Sequence, residues 1–411
     1  MWELLEQDSK IALEASAHAF TLEAGTHPAA FRARAHTNEQ NIWRMALTRI
    51  PGIGAVSTKK LIAIFGEAAE VFRASGNALL SAGLSETSVQ AILQFDAQDQ
   101  LKTEYQWLVR NGVRLLYFTD PEYPQRLLSI AEAPPLLYYR GTADLNAKKI
   151  VAVVGTRTPD EYGIQMAREL VAQLRPAAPL IISGLAYGID AAAHKAALDS
   201  DLLTVGVLGH GFGKLYPAAN TALSKEIVRQ GGLLTSFAYH VTPERYNFPT
   251  RNAIVAGLCD ALVVVQTSLK GGSLLTVGNA RKFGKKIFAV PGRLSDKQSE
   301  GCNRLIQQGI ARLLSSGGQL AAEMGWTWPE GGKGAQASLD FETDEYAEDT
   351  PEGLLLRLIR GKETPDIDEL IGCSHLDASV VALTLLQLEL LGAITILPGK
   401  RYECRRRPLG R

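Results

Sequence analysis

Two stretches of this sequence share one plan: Ile150-Val-Ala-Val-Val-Gly-Thr-Arg157 and Leu180-Ile-Ile-Ser-Gly-Leu-Ala-Tyr-Gly-Ile-Asp190. In each, a short apolar run is followed by a glycine turn and then by a stretch with helical periodicity. The same alternation continues to about residue 316. The predicted strands are Ile150–Val154, Leu180–Ile182, Leu203–Leu208, Leu233–Thr235, Ala261–Val265 and Ile287–Val290.

Strands that are apolar along their whole length, with helices between them, indicate a parallel sheet covered on both faces. The predicted fold class is therefore α/β: a doubly wound, mostly parallel, Rossmann-like core over residues 121–325, with a small helical N-terminal domain and a winged-helix-like C-terminal domain. In such sheets, ligands bind beyond the carboxyl ends of the strands. The residues that follow each strand are therefore candidates for the functional site.

Residues 41–120 have the pattern of a small helical domain, and we expect residues 1–40 to form a poorly ordered extension. Pro51-Gly52-Ile53-Gly54 interrupts one helix and begins the next. This resembles a helix-hairpin-helix motif, in which the backbone amides of Gly52 and Gly54 would make a secondary contact with a DNA phosphate. A plain turn in a helical bundle gives the same pattern, so both interpretations stay open.

Residues 326–350 are rich in glycine and acidic side chains and are predicted to be a linker to a winged-helix-like domain, residues 351–411. The predicted helix Ala378–Leu391 of that domain has no Lys or Arg, although a helix that reads the major groove normally carries some. We therefore expect this domain to contact protein. The alternative is a double-stranded DNA reader with the core as an effector sensor, favoured by Arg401, Arg405, Arg406, Arg407 and Arg411.

Charge is distributed unevenly along the 411 residues, although their formal net charge is zero. Residues 140–316 contain 21 Lys and Arg against 12 Asp and Glu, an excess that suits a polyanionic ligand. The four cysteines have no paired spacing, and no apolar run is long enough to span a bilayer. Residues 1–30 also lack the order of a secretory signal, so we expect a cytoplasmic protein with no membrane partner.

The residues after the first predicted strand and in a later loop suit a single-stranded nucleic acid. Arg157 would bind a phosphate through its guanidinium. Between Arg245 and Asn252, two arginines alternate with two aromatic residues, Tyr246 and Phe248. Cations pair with phosphates while bases stack on aromatic rings. The structural alternative places the aromatic ring in the core and uses the arginine to cap a helix.

The run from residue 261 to residue 295 holds six Lys and Arg side chains but no Asp or Glu. It includes the turn Gly271-Gly272-Ser273 and offers no carboxylate for acid–base catalysis. No P-loop, nucleophile elbow or H-E-x-x-H zinc motif occurs. We therefore predict a binder with no catalytic residue, metal or cofactor. The alternative is a Rossmann-like nucleotide or nucleoside-monophosphate glycosyl hydrolase, but residues 270–279 lack the glutamate of the corresponding hydrolase motif.

Seven motifs occur in this order along the predicted core: Gly155-Thr-Arg157, Ser183-Gly-Leu-Ala-x-Gly-Ile-Asp190, Tyr216-Pro-x-x-Asn220, Phe248-Pro-x-Arg-Asn252, Gly272-Ser-Leu-Leu-Thr276, Phe288-Ala-Val-Pro-Gly292 and Gly301-x-Asn-x-Leu-Ile306. Together they resemble the core signature of the DprA/Smf family (DNA-processing protein A). The resemblance is strong over about residues 121–314, and the flanking domains are similar to those of many members.

The resemblance implies a protein that binds single-stranded DNA with little sequence preference and forms a homodimer through its Rossmann-like core. It also implies that the protein protects incoming strands and loads the recombinase RecA onto them during natural transformation. The nucleic-acid-binding residues implied by matching positions are Arg157, Gly184, Arg245, Phe248, Arg251, Asn252, Gly271, Gly272 and Ser273.

Three positions depart from the family pattern. Ala253 stands where another arginine is usual, Gln266 where a glutamate commonly ends the strand, and Phe237 where a glutamate often follows serine. These differences remove one positive and two negative charges near the expected site. They bear on the affinity for the ligand more than on the class of ligand.

Overall fold

The computed structural model describes residues 38–326, 350–361, 364–390, 393–397, 399 and 401–404. The chain divides into two compact units, Met1–Lys333 and Gly334–Arg411. The extension predicted over residues 1–40 lies outside the described residues up to residue 37, and a helix begins at Asn38. The linker predicted over residues 326–350 also lies outside them, except for its two end residues.

The first unit is built on one nine-stranded sheet. Its strands are β1 (Arg114–Tyr117), β2 (Leu136–Gly141), β3 (Ile150–Val154), β4 (Leu180–Ser183), β5 (Thr204–Val207), β6 (Gly232–Thr235), β7 (Ala261–Val264), β8 (Lys286–Ala289) and β9 (Arg312–Leu313). They lie in the order β1-β2-β6-β5-β4-β3-β7-β8-β9. The seven strands from β6 to β9 in this order are parallel, whereas β2 pairs antiparallel with β1 and with β6.

The helices of this unit are α1 (Asn38–Leu47), α2 (Ala55–Phe65), α3 (Ala68–Arg73), α4 (Gly76–Ser81), α5 (Glu86–Leu93), α6 (Gln98–Arg110), α7 (Gln125–Leu128), α8 (Glu161–Gln173), α9 (Ile189–Asp199), α10 (Thr221–Gln230), α11 (Asn247–Leu258), α12 (Ser273–Lys282), α13 (Glu300–Gln307) and α14 (Gly317–Glu323). Strand β3 shows why helices cover both faces of the sheet. Its residues 150, 152 and 154 enter one core with α7, α11, α12 and α13, whereas residues 151 and 153 enter a second core with α8, α9 and α14.

All six predicted strands are present, with ends that differ by at most one residue, and the doubly wound α/β class is confirmed. Strands β1, β2 and β9 were not predicted. The boundary placed between residues 120 and 121 falls between β1 and β2, which pair with each other. Residues 114–117 therefore belong to the sheet, and not to a separate helical domain. These strands lie outside the alternating strand–helix pattern, so that pattern does not reveal them.

Helices α1 to α6 form a layer whose apolar core is shared with the sheet. Leu47, Leu79 and Leu108 of the helices belong to the same buried cluster as Tyr117 and Tyr138 of the strands. The layer contains two pairs of helices joined by glycine turns, an arrangement that fits both the helix-hairpin-helix and the plain-turn interpretation. The turn between α1 and α2 has a positive φ of 82° at Gly52, and the turn between α4 and α5 has one of 89° at Gly83.

The second unit has the predicted winged-helix order. Its elements are α15 (Pro351–Gly361), α16 (Ile367–Ser374), α17 (Ala378–Leu390), β10 (Ile394–Leu397) and β11 (Arg401–Cys404), with β10 and β11 forming an antiparallel hairpin. One face of α17 is buried, whereas Leu383 and Leu390 on the other are 68% and 80% exposed. Arg401 is exposed, and the other four arginines predicted near it lie outside the described residues.

Of the helices that the structure describes, none is by itself long and apolar enough to cross a membrane. The pair α16 and α17 meets the length and composition criteria only when the two are taken together, across a bend of 118°.

The amino end of the sheet is held by a forked ion pair. Arg126 donates from Nε and Nη2 to the two carboxylate oxygens of Asp260 at 2.8 and 2.9 Å, and Asp260 also accepts from the backbone N–H of Ile150 at 2.9 Å. Such charge-assisted, two-pronged bonds are stronger than single neutral ones. Asp260 therefore joins α7 to the starts of β3 and β7.

We expect Asp260→Asn to lower the free energy of unfolding by about 1.5–3 kcal/mol, because an amide cannot accept from all three donors. Urea unfolding of wild type and variant measures this change. The control is Asp201→Asn, which removes a carboxylate from the exposed Arg175–Asp201 pair and is expected to have no measurable effect. Equal effects of the two substitutions would contradict this role for Asp260.

Candidate nucleic-acid interface

A narrow cleft opens at the carboxyl ends of β3, β4 and β5, where the doubly wound topology favours a ligand. Its interior is tightly filled, with about 10 Å³ of space open to water. Its lining residues are Arg157, Gly184, Ala186, Tyr187, Gly209, His210, Tyr216, Pro217, Phe248 and Arg251. Four of the nine residues predicted for nucleic-acid binding therefore meet here: Arg157, Gly184, Phe248 and Arg251.

Two guanidinium groups contact the ring of Phe248. The Cζ atom of Arg157 lies 4.8 Å from the ring centroid, and that of Arg251 lies 5.7 Å from it. Arg157 is exposed, and no carboxylate of the described residues forms an ion pair with it. Contact with the ring orients this cation but leaves its N–H donors available to a ligand.

Arg251 is held in a different way, because only 5% of its surface is exposed. Its Nη1 atom lies 3.5 Å from a carboxylate oxygen of Asp190, which also accepts a hydrogen bond from the N–H of Gly184 at 3.2 Å. Burial lowers the pKa of Arg251, although the carboxylate of Asp190 opposes that change. Gly184 is required at this point, because a Cβ there would overlap the guanidinium. Arg251 thus shapes the floor of the cleft from below.

Two tyrosines of the cleft were missing from the predicted set. Tyr187 is 44% exposed and Tyr216 is 42% exposed, so both rings are accessible. His210 beneath them accepts a hydrogen bond from the N–H of Tyr216 at 3.1 Å, and burial lowers the pKa of this histidine. Both tyrosines stand inside motifs recognised in the sequence. A large aromatic residue among small residues in a loop after a strand is the sequence signal that identifies such positions.

The other five predicted residues do not line this cleft. Arg245 is exposed in the loop just before α11, and Asn252 is half-buried within that helix. The turn at residues 271–273 lies after β7, where the hydroxyl of Ser273 is 2.7 Å from that of Thr267. Gly52 and Gly54 lie in the turn between α1 and α2.

The three residues that depart from the family pattern lie in different segments of the fold. Gln266 is buried where the strand order reverses between β3 and β7: its side-chain oxygen accepts from the N–H of Asp160 at 3.2 Å, and its amide lies 3.3 Å from Asp296. A carboxylate in place of this amide could not donate to Asp296. Phe237 and Ala253 are half-buried.

Among the described residues, no group of three or more His, Cys, Asp or Glu side chains is placed to hold a metal ion. The cleft lining also contains no Asp or Glu. The arrangement offers an exposed cation and accessible aromatic rings, which suits binding of a polyanion that carries planar bases.

We expect Gly184→Ala to destabilise the fold and to disturb the cleft, because the new methyl group would displace the Arg251 guanidinium from Asp190. Separating a buried ion pair costs about 3–5 kcal/mol. The matched control is Gly272→Ala, since a Cβ at Gly272 meets no atom within 4 Å. Urea unfolding measures both variants, and equal stabilities would refute this account of Gly184.

His194 supports a prediction about pH. It is fully buried in α9, its Nδ1 atom lies 2.7 Å from the hydroxyl of Thr204, and its Nε2 atom has no partner among the described residues. Burial, with a smaller contribution from the charge of Arg251, lowers the pKa of His194 from 6.5 to about 3. Between these values the unfolded chain binds one proton more than the folded chain, so stability falls as the pH drops below 6.5.

We expect His194→Asn to reduce this pH dependence by up to about 1.4 kcal/mol per pH unit, because the amide keeps a polar group towards Thr204 but does not titrate. Urea unfolding from about pH 7.5 to about pH 5.5 measures the slope. His210 is present in both proteins, so its contribution to the pH dependence cancels from the difference between them. Identical slopes would show that folding does not lower the pKa of His194.

Comparisons with known proteins agree with this architecture. The model of the family described as DNA recombination-mediator protein A matches residues 114–325, and that of the DprA winged helix domain matches residues 341–400. The Smf protein of Synechocystis is 30% identical over 403 residues, which cover 90% of this chain and 99% of that protein. The Smf protein of Escherichia coli is 32% identical over 332 residues, which cover 80% of this chain and 87% of that protein.

A solved structure supports the same assignment. The X-ray structure of DNA processing protein A from Streptococcus pneumoniae aligns with a TM-score of 0.61 and 32% identity. The alignment covers 70% of this chain and 98% of that one. Because a family model covers more than half of the chain and a relative matches almost end to end, this chain belongs to the DprA/Smf family.

Proposed function

We propose that this protein binds single-stranded DNA with little sequence preference and acts as a non-enzymatic recombination mediator. The observation that carries the proposal is the exposed guanidinium of Arg157, oriented on the ring of Phe248 and left without a carboxylate partner among the described residues. A cation in this state exchanges solvent and counterions for a phosphate without first breaking an ion pair.

The cleft provides both parts of single-strand recognition. A phosphate binds to Arg157, while the accessible rings of Tyr187 and Tyr216 stack on neighbouring bases. Stacking contributes about 1–3 kcal/mol per base and tolerates any sequence, since every base has an aromatic face. Arg245, just before α11, and the half-buried Asn252 within it would extend the binding surface, as would the turn at residues 271–273 after β7.

The absence of carboxylates from the cleft lining favours binding over hydrolysis. The nearby Asp190 is only 5% exposed, and its carboxylate is occupied by Arg251 and by the N–H of Gly184. A glycosyl hydrolase needs a carboxylate that reaches its substrate. We therefore assign no catalytic residue, and any ATP hydrolysis belongs to the recombinase.

The family supplies the wider role that we propose. The chain protects incoming strands and loads RecA onto them during natural transformation in the cytoplasm, as a homodimer paired through the sheet unit. Two clefts on one strand would raise the affinity without new contacts. Gly52 and Gly54 at the α1–α2 turn would make a secondary DNA contact, and the winged-helix unit would contact protein, because the exposed side of α17 is apolar.

We expect Arg157→Ala to weaken binding to a labelled single-stranded oligonucleotide by about tenfold at moderate salt, because one phosphate contact is lost. Fluorescence anisotropy over a salt series measures the affinity and its salt dependence. The control is Arg168→Ala, which removes an equally exposed cation from α8, away from the cleft. Wild type should prefer the single strand to a duplex of the same length.

Failure of the wild-type chain to bind either DNA form at low salt would reject the proposal and direct attention to hydrolysis of nucleoside monophosphates. Equal effects of Arg157→Ala and Arg168→Ala would reject the cleft as the site while leaving DNA binding in place. RecA loading is tested separately, by the rate of RecA-dependent ATP hydrolysis on single strands that carry a single-strand-binding protein.

A further inference from the structure

The loop between β6 and α11, residues 236–246, ends with Arg245 and the 75% exposed ring of Tyr246, two residues before Phe248 of the cleft. We name it the approach loop. Residues in the middle of this loop contact two other segments of the chain. The loop is held on one side by the loop that follows β5 and on the other by helix α6 of the helical layer.

Glu104 makes the main contact between α6 and the approach loop. Its Oε1 atom accepts a hydrogen bond from Arg49 Nη2 at 2.7 Å and another from the backbone N–H of Tyr239 at 3.2 Å. Its Oε2 atom lies 3.9 Å from Nδ1 of His240. One carboxylate, 10% exposed, therefore joins the helical layer to two consecutive residues of the approach loop.

Ring packing and backbone bonds reinforce this contact. The ring of Trp107, one helical turn after Glu104, lies 4.2 Å from the ring of Tyr239. On the opposite side, the N–H of Gly213 donates to the carbonyl of Tyr239 at 2.9 Å, and that of Gly211 donates to Val241 at 2.8 Å. Both glycines are needed, because a Cβ at either would overlap the backbone of the loop.

The energetics favour a specific role for Glu104 over incidental contact. Burial opposes the charge of Arg49, but the hydrogen bond and charge of Glu104, together with Tyr138, outweigh it and raise the Arg49 pKa. The Arg49 guanidinium is thus firmly charged, and the pair is partly shielded from water, where charge-assisted hydrogen bonds are strong. A backbone N–H that joins such a pair is held more rigidly than one that bonds to water.

We propose that Glu104 is a positioning residue for DNA binding: it fixes the approach loop, so that Arg245 and Tyr246 are pre-ordered beside the cleft and the helical layer sets the affinity of the sheet for a single strand. This inference rests on the proposed function. Pre-ordering raises affinity because the strand does not have to order the loop as it binds. Glu104 itself touches no DNA in this arrangement.

The test removes both charges of the pair together, since a lone buried charge would destabilise the fold. In Arg49→Met/Glu104→Leu we expect affinity for a labelled oligothymidine to fall about tenfold, because the loop must now be ordered on binding. The matched control is Arg44→Met/Asp120→Leu, which removes a second partly shielded arginine–carboxylate pair (3.1 Å), between α1 and the loop after β1, and leaves Glu104 in contact with the approach loop. The control should retain wild-type affinity within about twofold.

A double-mutant cycle distinguishes positioning from general loosening. Arg245→Ala should weaken binding several-fold in wild type and in the control, but not in Arg49→Met/Glu104→Leu, where the loop is already misplaced. Arg157→Ala should have the same effect in all three. If the paired variant does not fold, Trp107→Leu, which removes a half-buried ring from Tyr239, replaces it with the same expected pattern.

The outcomes separate this inference from the proposed function. Wild-type binding that Arg157→Ala weakens, together with unchanged affinity in the paired variant, overturns the role of Glu104 and leaves the function standing. The inference also falls if Arg245→Ala has no effect in wild type, or has its full effect in the paired variant. Absence of single-strand binding by the wild-type chain overturns both.

Discussion

The buried guanidinium of Arg251 is the constraint around which the cleft is arranged. A charge with so little access to water is stable only where an opposite charge and suitable space are provided. Asp190, at the start of α9, supplies the charge, and Gly184, just after β4, supplies the space. Because Arg251 itself belongs to α11, this one contact joins α11 to the segment between β4 and α9, about 60 residues earlier in the sequence. Phe248 lies one helical turn before it and is thereby placed over the cleft.

Two arginines that look equivalent in the sequence therefore have different roles in this arrangement. Arg251 is paired with Asp190 and contributes shape and a positive potential, whereas Arg157 is exposed and contacts the ring of Phe248. For the phosphate that we propose binds here, a rigid floor and an exposed cation would provide a preorganised site, which would reduce the entropy lost on binding. The lining that the structure describes contains no carboxylate, which keeps the potential of the cleft positive.

The helical layer and the sheet are one structural unit, and this has consequences for the cleft. Their apolar side chains share a buried cluster, and the Arg49–Glu104 pair extends from that cluster to the loop before α11. The helical layer therefore contacts Tyr239 and His240 directly. The winged-helix unit has its own core, with an apolar exposed face on α17 in place of the cations expected of a major-groove reader.

The sequence by itself determined the parallel strands, the helices between them and the winged-helix order, because fully buried strands are continuous apolar runs and amphipathic helices repeat every 3.6 residues. It also identified Arg157, Gly184, Phe248 and Arg251, since these follow strand ends or belong to family motifs. Only the tertiary structure showed that β1, β2 and β9 complete the sheet, that Tyr187 and Tyr216 line the cleft, and that the turn at residues 271–273 does not. Pairing and exposure depend on which segments meet in space, and Glu104 and Tyr239, which are 135 positions apart, meet only through the folded chain.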